Sequence, residues 1–77
     1  MEDLLSFIVT EITGNHPKSI ASKTEGGIIT YTITAPKEQM GVLIGKGGRV
    51  IFAIRTLARV RAAKENTQIN IELQEID

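Results

Sequence analysis

The sequence predicts an α+β fold in which a three-stranded mixed sheet carries its helices on one face. Two observations predict it. Segments with apolar residues at three- and four-residue spacing are interspersed with segments in which every second residue is apolar. Two helical segments separate the second strand from the third, and a connection of that length allows these strands to run parallel. A chain of 77 residues has the size of one small domain.

The first half of the chain predicts a helix followed by two strands. Apolar residues recur at helical spacing over residues 3–13, and a glycine follows as a stop signal. Residues 18–24 predict an extended edge segment, although they contain a single large aliphatic residue. The Glu-Gly-Gly run at 25–27 favours a hairpin turn because glycine accepts positive φ. The alternating, β-branched run 28–34 predicts the next strand.

The second half predicts two helices and a third strand. Pro36 breaks the strand and favours a helix over residues 37–44, and a second helix is predicted from Arg49 to about Ala63. Clean alternation over 68–74 predicts the last strand. Met40, Leu43 and Ile44 share one side of the first of these helices. A wide apolar stripe on the second consists of Val50, Ile51, Ile54, Leu57 and Ala58.

The net charge of zero hides an uneven distribution of charge along the chain. Residues 37–64 carry seven basic side chains against Glu38 alone, for +6. The basic residues are Lys37, Lys46, Arg49, Arg55, Arg59, Arg61 and Lys64. Because the local field governs attraction of a polyanion, this segment indicates a nucleic-acid partner. An ordinary solvated helix face is the alternative.

The composition argues against several classes of protein. The chain has no cysteine, which excludes disulfides, thiolate zinc sites and thiol nucleophiles. The single histidine, His16, lies in a predicted turn and is expected to be a solvated surface residue. We expect no metal or other cofactor. The apolar runs are too short to span a membrane, and the acidic N-terminus does not read as a secretory signal, so a cytoplasmic protein is expected.

Three glycines and a lysine, "GKGG" at residues 45–48, join the two predicted helices. A Walker phosphate loop is excluded because three residues, not four, separate Gly41 from Gly45, and Gly47 stands where serine or threonine would hold magnesium. The dinucleotide fingerprint also fails, since its last glycine would fall on Val50. A plain turn between helices remains an alternative, but one glycine would suffice for it. Several glycines beside basic residues favour close approach of a sugar-phosphate backbone.

The stretch "LIGKGGRVIFAI" resembles the signature of K-homology (KH) RNA-binding domains, in which an Ile-Gly-x-x-Gly loop joins two helices. The extra structure that precedes the core is similar to that of type II, prokaryotic KH domains. More narrowly, the chain is similar to small stand-alone bacterial KH proteins of the KhpA (YlqC) kind, most specifically from Ala35 to Glu72. The resemblance implies a single KH domain over 1–77, with an N-terminal helix at 3–13 and a core at about 28–75.

The resemblance also implies which residues contact RNA. The loop would grip the backbone, Arg49 would add charge at the start of the next helix, and two isoleucines would contribute to an apolar floor under the bases. These isoleucines are equally well explained as core residues. The full candidate set is Gly45, Lys46, Gly47, Gly48, Arg49, Ile44 and Ile51.

Phe52, Arg55 and Arg59 share one side of the long predicted helix, away from its apolar stripe. Stacking on bases is one interpretation, a protein interface is another, and an isolated exposed phenylalanine is a third. Proteins of the KhpA kind are expected to form homodimers and to pair with a larger KH protein of the Jag/KhpB kind. This side is therefore the candidate face for a dimer or partner.

The leading hypothesis is a non-catalytic protein that binds single-stranded RNA, as an RNA chaperone or post-transcriptional regulator, and that acts as a dimer. Family analogy suggests processes of cell shape and cell-wall biogenesis. The alternative is a protein-interaction module in which RNA binding is secondary. An enzyme is the weakest hypothesis, because the sequence assembles no acid–base or nucleophilic constellation.

Overall fold

The computed structural model describes residues 1–76 and confirms the predicted α+β fold. The elements, in chain order, are α1 (Glu2–Thr13), β1 (Ser19–Glu25), β2 (Ile28–Pro36), α2 (Lys37–Ile44), a 3₁₀ turn (Lys46–Gly48), α3 (Arg49–Lys64) and β3 (Gln68–Ile76). The predicted bounds of the helices and strands agree with these to within about two residues, a scatter expected at element ends. The weak segment after α1 is a strand, as predicted.

The sheet has the strand order β1-β2-β3. β1 and β2 are antiparallel neighbours. A tight turn connects them, and in it Gly26 and Gly27 have φ of 57° and 81°. β2 pairs with β3 in parallel, from Ile28 opposite Gln68 to Pro36 opposite Ile76. The parallel pairing follows from α2 and α3, which together form the crossover. β1 and β3 are therefore the edge strands.

The core lies between the helices and one face of the sheet. Alternate residues of β2 and β3 point into it, and every residue of β1 is exposed or half-buried. The buried apolar side chains are Leu5, Val9, Ile33, Ala35, Met40, Leu43, Ile51, Ile54, Ala58, Ala62, Ile69 and Ile71. In residues 1–76, no helix has both the length and the apolar character that crossing a bilayer requires.

One position of the predicted apolar stripe, Leu57, does not face the core. Leu57 is 56% exposed, whereas Ala58, as predicted, and Ala62 are buried. Ile44, the last residue of α2, is 43% exposed. The buried side of α3 is thus narrower than the apolar stripe of the sequence, because the sheet covers one side of the helix and leaves the neighbouring side in solvent.

Ile54 and Leu57 provide a matched test of this packing, since both are large aliphatic residues of α3. Replacing Ile54, which is 1% exposed, by alanine removes buried carbon and should lower the free energy of unfolding by about 2–5 kcal/mol. Leu57→Ala should change it by about 0.5 kcal/mol or less when both proteins are measured at dilutions at which the chain is monomeric, so that no association contributes. Urea unfolding monitored by circular dichroism measures both. Equal losses would contradict the observed orientation of α3.

Candidate nucleic-acid interface

The glycine-rich segment forms a tight elbow between α2 and α3, here called the GKGG elbow (residues 45–48). The N–H of Gly45 donates to the carbonyl of Gly41 at 2.9 Å and so ends α2. The N–H of Gly48 donates to the carbonyl of Gly45 at 3.1 Å and closes the turn. The chain therefore passes from α2 into α3 within four residues, and its own backbone hydrogen bonds fix the shape of the elbow.

Position 45 requires a glycine because the backbone there packs directly against Val50. The φ of 76° and ψ of 169° at Gly45 lie in a region that is essentially restricted to glycine. A Cβ at this position would lie 2.4 Å from Cγ2 and 2.8 Å from the backbone nitrogen of Val50. The end of α2 thus rests directly on the first turn of α3. This contact sets the relative position of the two helices.

Gly47 and Gly48 have a different role from Gly45. Both have left-handed backbone, with φ of 65° and 78°, but a Cβ on either one would meet nothing within 4 Å. The space outside them is open. The elbow therefore presents bare peptide backbone to solvent, where an extended polymer can approach closely.

The N-terminus of α3 points into the same region. Gly48 is its N-cap, no side chain caps the helix, and its first turn contains no acidic residue. The first N–H groups of a helix lack intrahelical partners, and the helix dipole adds partial positive charge there. Backbone N–H groups in this arrangement favour an anion such as phosphate.

Lys46 and Arg49 add full positive charges to the elbow. Both side chains are exposed. Within residues 1–76, the ion pairs are Lys23 with Glu25 and Arg61 with Glu65, and neither involves the elbow. Because the described carboxylates leave both cations uncompensated, the elbow carries a local positive field although the net charge of the chain is zero.

The two isoleucines proposed as a floor lie in different environments. Ile44 is 43% exposed and directly precedes the elbow, so its side chain is accessible to a ligand. Ile51 is 7% exposed and belongs to the core cluster. Ile51 is therefore a core residue, whereas Ile44 offers an apolar surface next to the elbow.

The side of α3 that carries Phe52, Arg55 and Arg59 lies along the edge strand β3. Arg55 donates from Nε and Nη2 to the carbonyl oxygen of Ile71 in β3, at 3.2 and 3.1 Å. Arg59 lines a shallow cavity together with residues 67–70 at the start of β3. Phe52 is 68% exposed. Of the expected partner face, Arg55 is thus half-buried and engaged with its own domain.

The structure shows a second exposed side of α3, which the sequence analysis missed. Ala53, Leu57 and Val60 lie on the side opposite the core and form what we call the outer apolar strip; Leu57 and Val60 are 56% and 53% exposed. One signal was available in the sequence: α3 contains more apolar residues than one buried side of a helix holds.

His16 is exposed, as expected, and its Nδ1 lies 3.1 Å from the hydroxyl of Thr10. The residues described by the structure bring no group of three or more histidine and carboxylate side chains together as a metal site. The groups that the elbow offers to a ligand are backbone amides, the ammonium group of Lys46 and the guanidinium group of Arg49.

The element order α-β-β-α-α-β, with the mixed three-stranded sheet and a glycine elbow between α2 and α3, is that of a type II KH domain. The family model described as "KhpA/KhpB, KH domain" matches residues 2–73. The chain belongs to this non-catalytic family.

Three curated relatives are similar over most of the chain, and each is named RNA-binding protein KhpA. The protein of Chlamydia caviae is 35% identical over 97% of both chains. That of Listeria monocytogenes is 36% identical and covers 97% of this chain and 100% of the relative. That of Clostridium acetobutylicum is 40% identical over 84% of this chain and 72% of the relative.

The different environments of the elbow glycines predict unequal effects of the same substitution. Gly47→Ala introduces left-handed strain alone and should lower the free energy of unfolding by about 1–2 kcal/mol. Gly45→Ala adds a collision with the Val50 backbone and should lower it by several kcal/mol, at least twice as much. Thermal and urea unfolding of both variants measure the difference.

Adding Val50→Ala to Gly45→Ala is the control, because it removes the Cγ methyl groups of Val50 but leaves its Cβ and its backbone nitrogen in place. We expect no recovery of stability in the double variant. Similar losses for Gly45→Ala and Gly47→Ala would show that the contact between α2 and α3 is not as tight as described.

Proposed function

We propose that this protein binds single-stranded RNA by holding the sugar-phosphate backbone against the GKGG elbow. The observation that carries this proposal is the combination of open glycine backbone, the uncapped start of α3 and two uncompensated cations at one exposed turn. The names of the relatives, RNA-binding protein KhpA, support it.

Each part of the elbow has a distinct role in this proposal. Gly47 and Gly48 allow the polymer backbone to approach, and the first N–H groups of α3 donate to phosphate oxygens. Lys46 contacts phosphate as a mobile point charge, whereas Arg49 offers a planar fork that binds two phosphate oxygens together. Ile44 provides an apolar surface beside the gripped backbone.

One elbow contacts few nucleotides, so the affinity of a single domain is expected to be modest. Two linked sites raise the affinity through effective concentration. The proposed function is therefore that of a cytoplasmic RNA chaperone or post-transcriptional regulator that acts on unpaired segments of transcripts as a dimer.

Replacing Lys46 and Gly47 by aspartate tests the elbow directly. Both positions are exposed, and aspartate tolerates left-handed backbone, so the fold should survive. The added negative charge should lower affinity for a uridine dodecamer by roughly tenfold or more, and the remaining binding should depend less steeply on salt. Fluorescence anisotropy at several salt concentrations measures both quantities.

The charge-matched control replaces Lys18 and Ser19 by aspartate, which changes the net charge by the same amount. Both residues are exposed, and Lys18 lies beside the N-terminal end of α2, about 12 Å of helix from the elbow. This control should bind nearly as well as the unmodified protein. Equal weakening by both pairs of changes would mean that net charge rather than the elbow determines binding.

A second function, a protein-binding module, is favoured by the outer apolar strip of α3. Exposed large apolar side chains grouped on one helix side are typical of interaction sites. We propose that this strip forms the contact of a homodimer, or of a heterodimer with a larger KH protein of the KhpB kind. The family name, which joins KhpA and KhpB, supports the second pairing.

Leu57→Asp should disrupt this interface without touching the elbow. Since Leu57 is 56% exposed, the monomer should keep its fold while dimer formation is lost. Sedimentation of the unmodified 8.4-kDa chain should give a dimer mass, and that of the variant a monomer mass. Glu11→Lys, at an exposed position of α1, is the control and should remain dimeric. A variant that sediments as the parent does would exclude the strip as the interface.

A further inference from the structure

Four of the five lysines of this chain have a carboxylate close by in space or in sequence. Lys23 pairs with Glu25 at 2.8 Å. Lys18 and Lys37 line a cavity whose wall also contains two glutamates. Lys64 directly precedes a glutamate. An anion that approaches any of these four lysines is therefore repelled as well as attracted.

Lys46 has a different electrostatic environment. No acidic residue lies between positions 38 and 65 of the sequence, so the elbow and the helix turns that flank it carry basic charges only. Arg49 follows three residues later and is exposed, and within residues 1–76 it has neither an ion pair nor a side-chain hydrogen bond. A small anion that reaches Lys46 therefore meets a second positive charge at Arg49.

The amine of Lys46 is also easy to reach. Its neighbours in the elbow, Gly45, Gly47 and Gly48, have no side chains. The space outside Gly47 and Gly48 is open, since a Cβ on either residue would meet nothing within 4 Å. A reagent approaches Lys46 from this direction without displacing a neighbouring side chain.

We propose that Lys46 is a preferred site of acylation by acyl phosphates and that this modification weakens RNA binding. The regulatory part of the inference rests on the proposed function. An acyl phosphate joins a reactive acyl group to an anionic phosphate, so the positive field of the elbow raises its local concentration beside the amine. The same field attracts the phosphates of RNA.

The reaction is a simple acyl transfer. The neutral form of the Lys46 amine attacks the carbonyl carbon of the acyl phosphate, and a C–N bond forms. The bond between that carbon and the bridging oxygen breaks, and inorganic phosphate leaves with the bonding electrons. The nitrogen loses a proton to solvent, so the product is an uncharged amide. The elbow then retains the positive charge of Arg49 alone.

RNA and the acyl phosphate compete for one place. RNA that is held at the elbow covers the Lys46 amine and protects it, whereas RNA-free protein is open to modification. Once Lys46 is acylated, one cation that contacts phosphate is lost, and RNA binding weakens. The level of acyl phosphate would thus set the fraction of the protein that is able to bind RNA.

The first experiment treats the unmodified protein with acetyl phosphate and measures the initial acetylation rate of each lysine by mass spectrometry. At low salt, Lys46 should react about threefold faster or more than the mean of the other four lysines, and high salt should reduce this preference. A uridine dodecamer should slow the reaction at Lys46 and leave that at Lys23 unchanged.

Arg49→Gln removes the neighbouring cation and should abolish the preference for Lys46. Arg59→Gln is the matched control, because it removes the same charge about 15 Å further along α3 and should keep the preference. Rates that are equal for all five lysines overturn the assignment of the site. A preference that survives Arg49→Gln overturns it as well.

The second experiment measures RNA affinity after acetyl phosphate treatment, by fluorescence anisotropy with the uridine dodecamer at low salt. Treatment should weaken binding by the unmodified protein roughly three- to tenfold, and Lys46→Gln should bind equally weakly without treatment. Lys46→Arg keeps the charge but lacks the amine, so treatment should change its affinity by about twofold or less.

The outcomes separate this inference from the proposed function. Undiminished RNA affinity after acetylation of Lys46 overturns the regulation and leaves RNA binding intact. An equal loss of affinity in treated Lys46→Arg assigns the effect to other lysines and overturns it too. Absence of RNA binding by untreated protein overturns the proposed function, whereas the acetylation rates, measured without RNA, still test the site.

Discussion

The contact between Gly45 and Val50 is the constraint on which the rest of the structure depends. With no Cβ at Gly45, the end of α2 reaches the backbone of the first turn of α3, at distances that no side chain would permit. That contact orients α3 across the sheet, so that Ile54 and Ala58 enter the core. The same turn leaves Gly47 free of neighbours. One close approach therefore both fixes the packing of the domain and exposes the elbow.

Three sides of α3 face three different environments. Its inner side fills the core, and its second side lies along β3, where Arg55 binds the carbonyl of Ile71. Its outer side exposes Leu57 and Val60. In a chain of this size, the surface available for function is small. Separate sides of one helix allow the proposed RNA contact and the proposed dimer contact to coexist without competing for the same side chains.

Periodicity and turn chemistry predicted the elements, the sheet and the parallel pairing, because these follow from local spacing and from the length of the crossover. Local spacing does not predict the rotation of a helix about its own axis. It grouped Leu57 with Ile54, and the packing of the sheet separated them. The bond from Arg55 to Ile71 joins residues sixteen positions apart, and no local pattern encodes it. The elbow was recognisable because several glycines beside basic residues exceed what a turn requires.

The central claim is that the elbow itself contacts the nucleic acid. Titration of the ¹⁵N-labelled protein with a short unstructured oligoribonucleotide, followed by amide chemical shifts, tests it residue by residue. The account predicts that the largest changes fall on the amides of residues 46–51, while the amides of β1 stay in place. Changes concentrated on β1 or α1, with the amides of Gly47 and Gly48 unmoved, would contradict it.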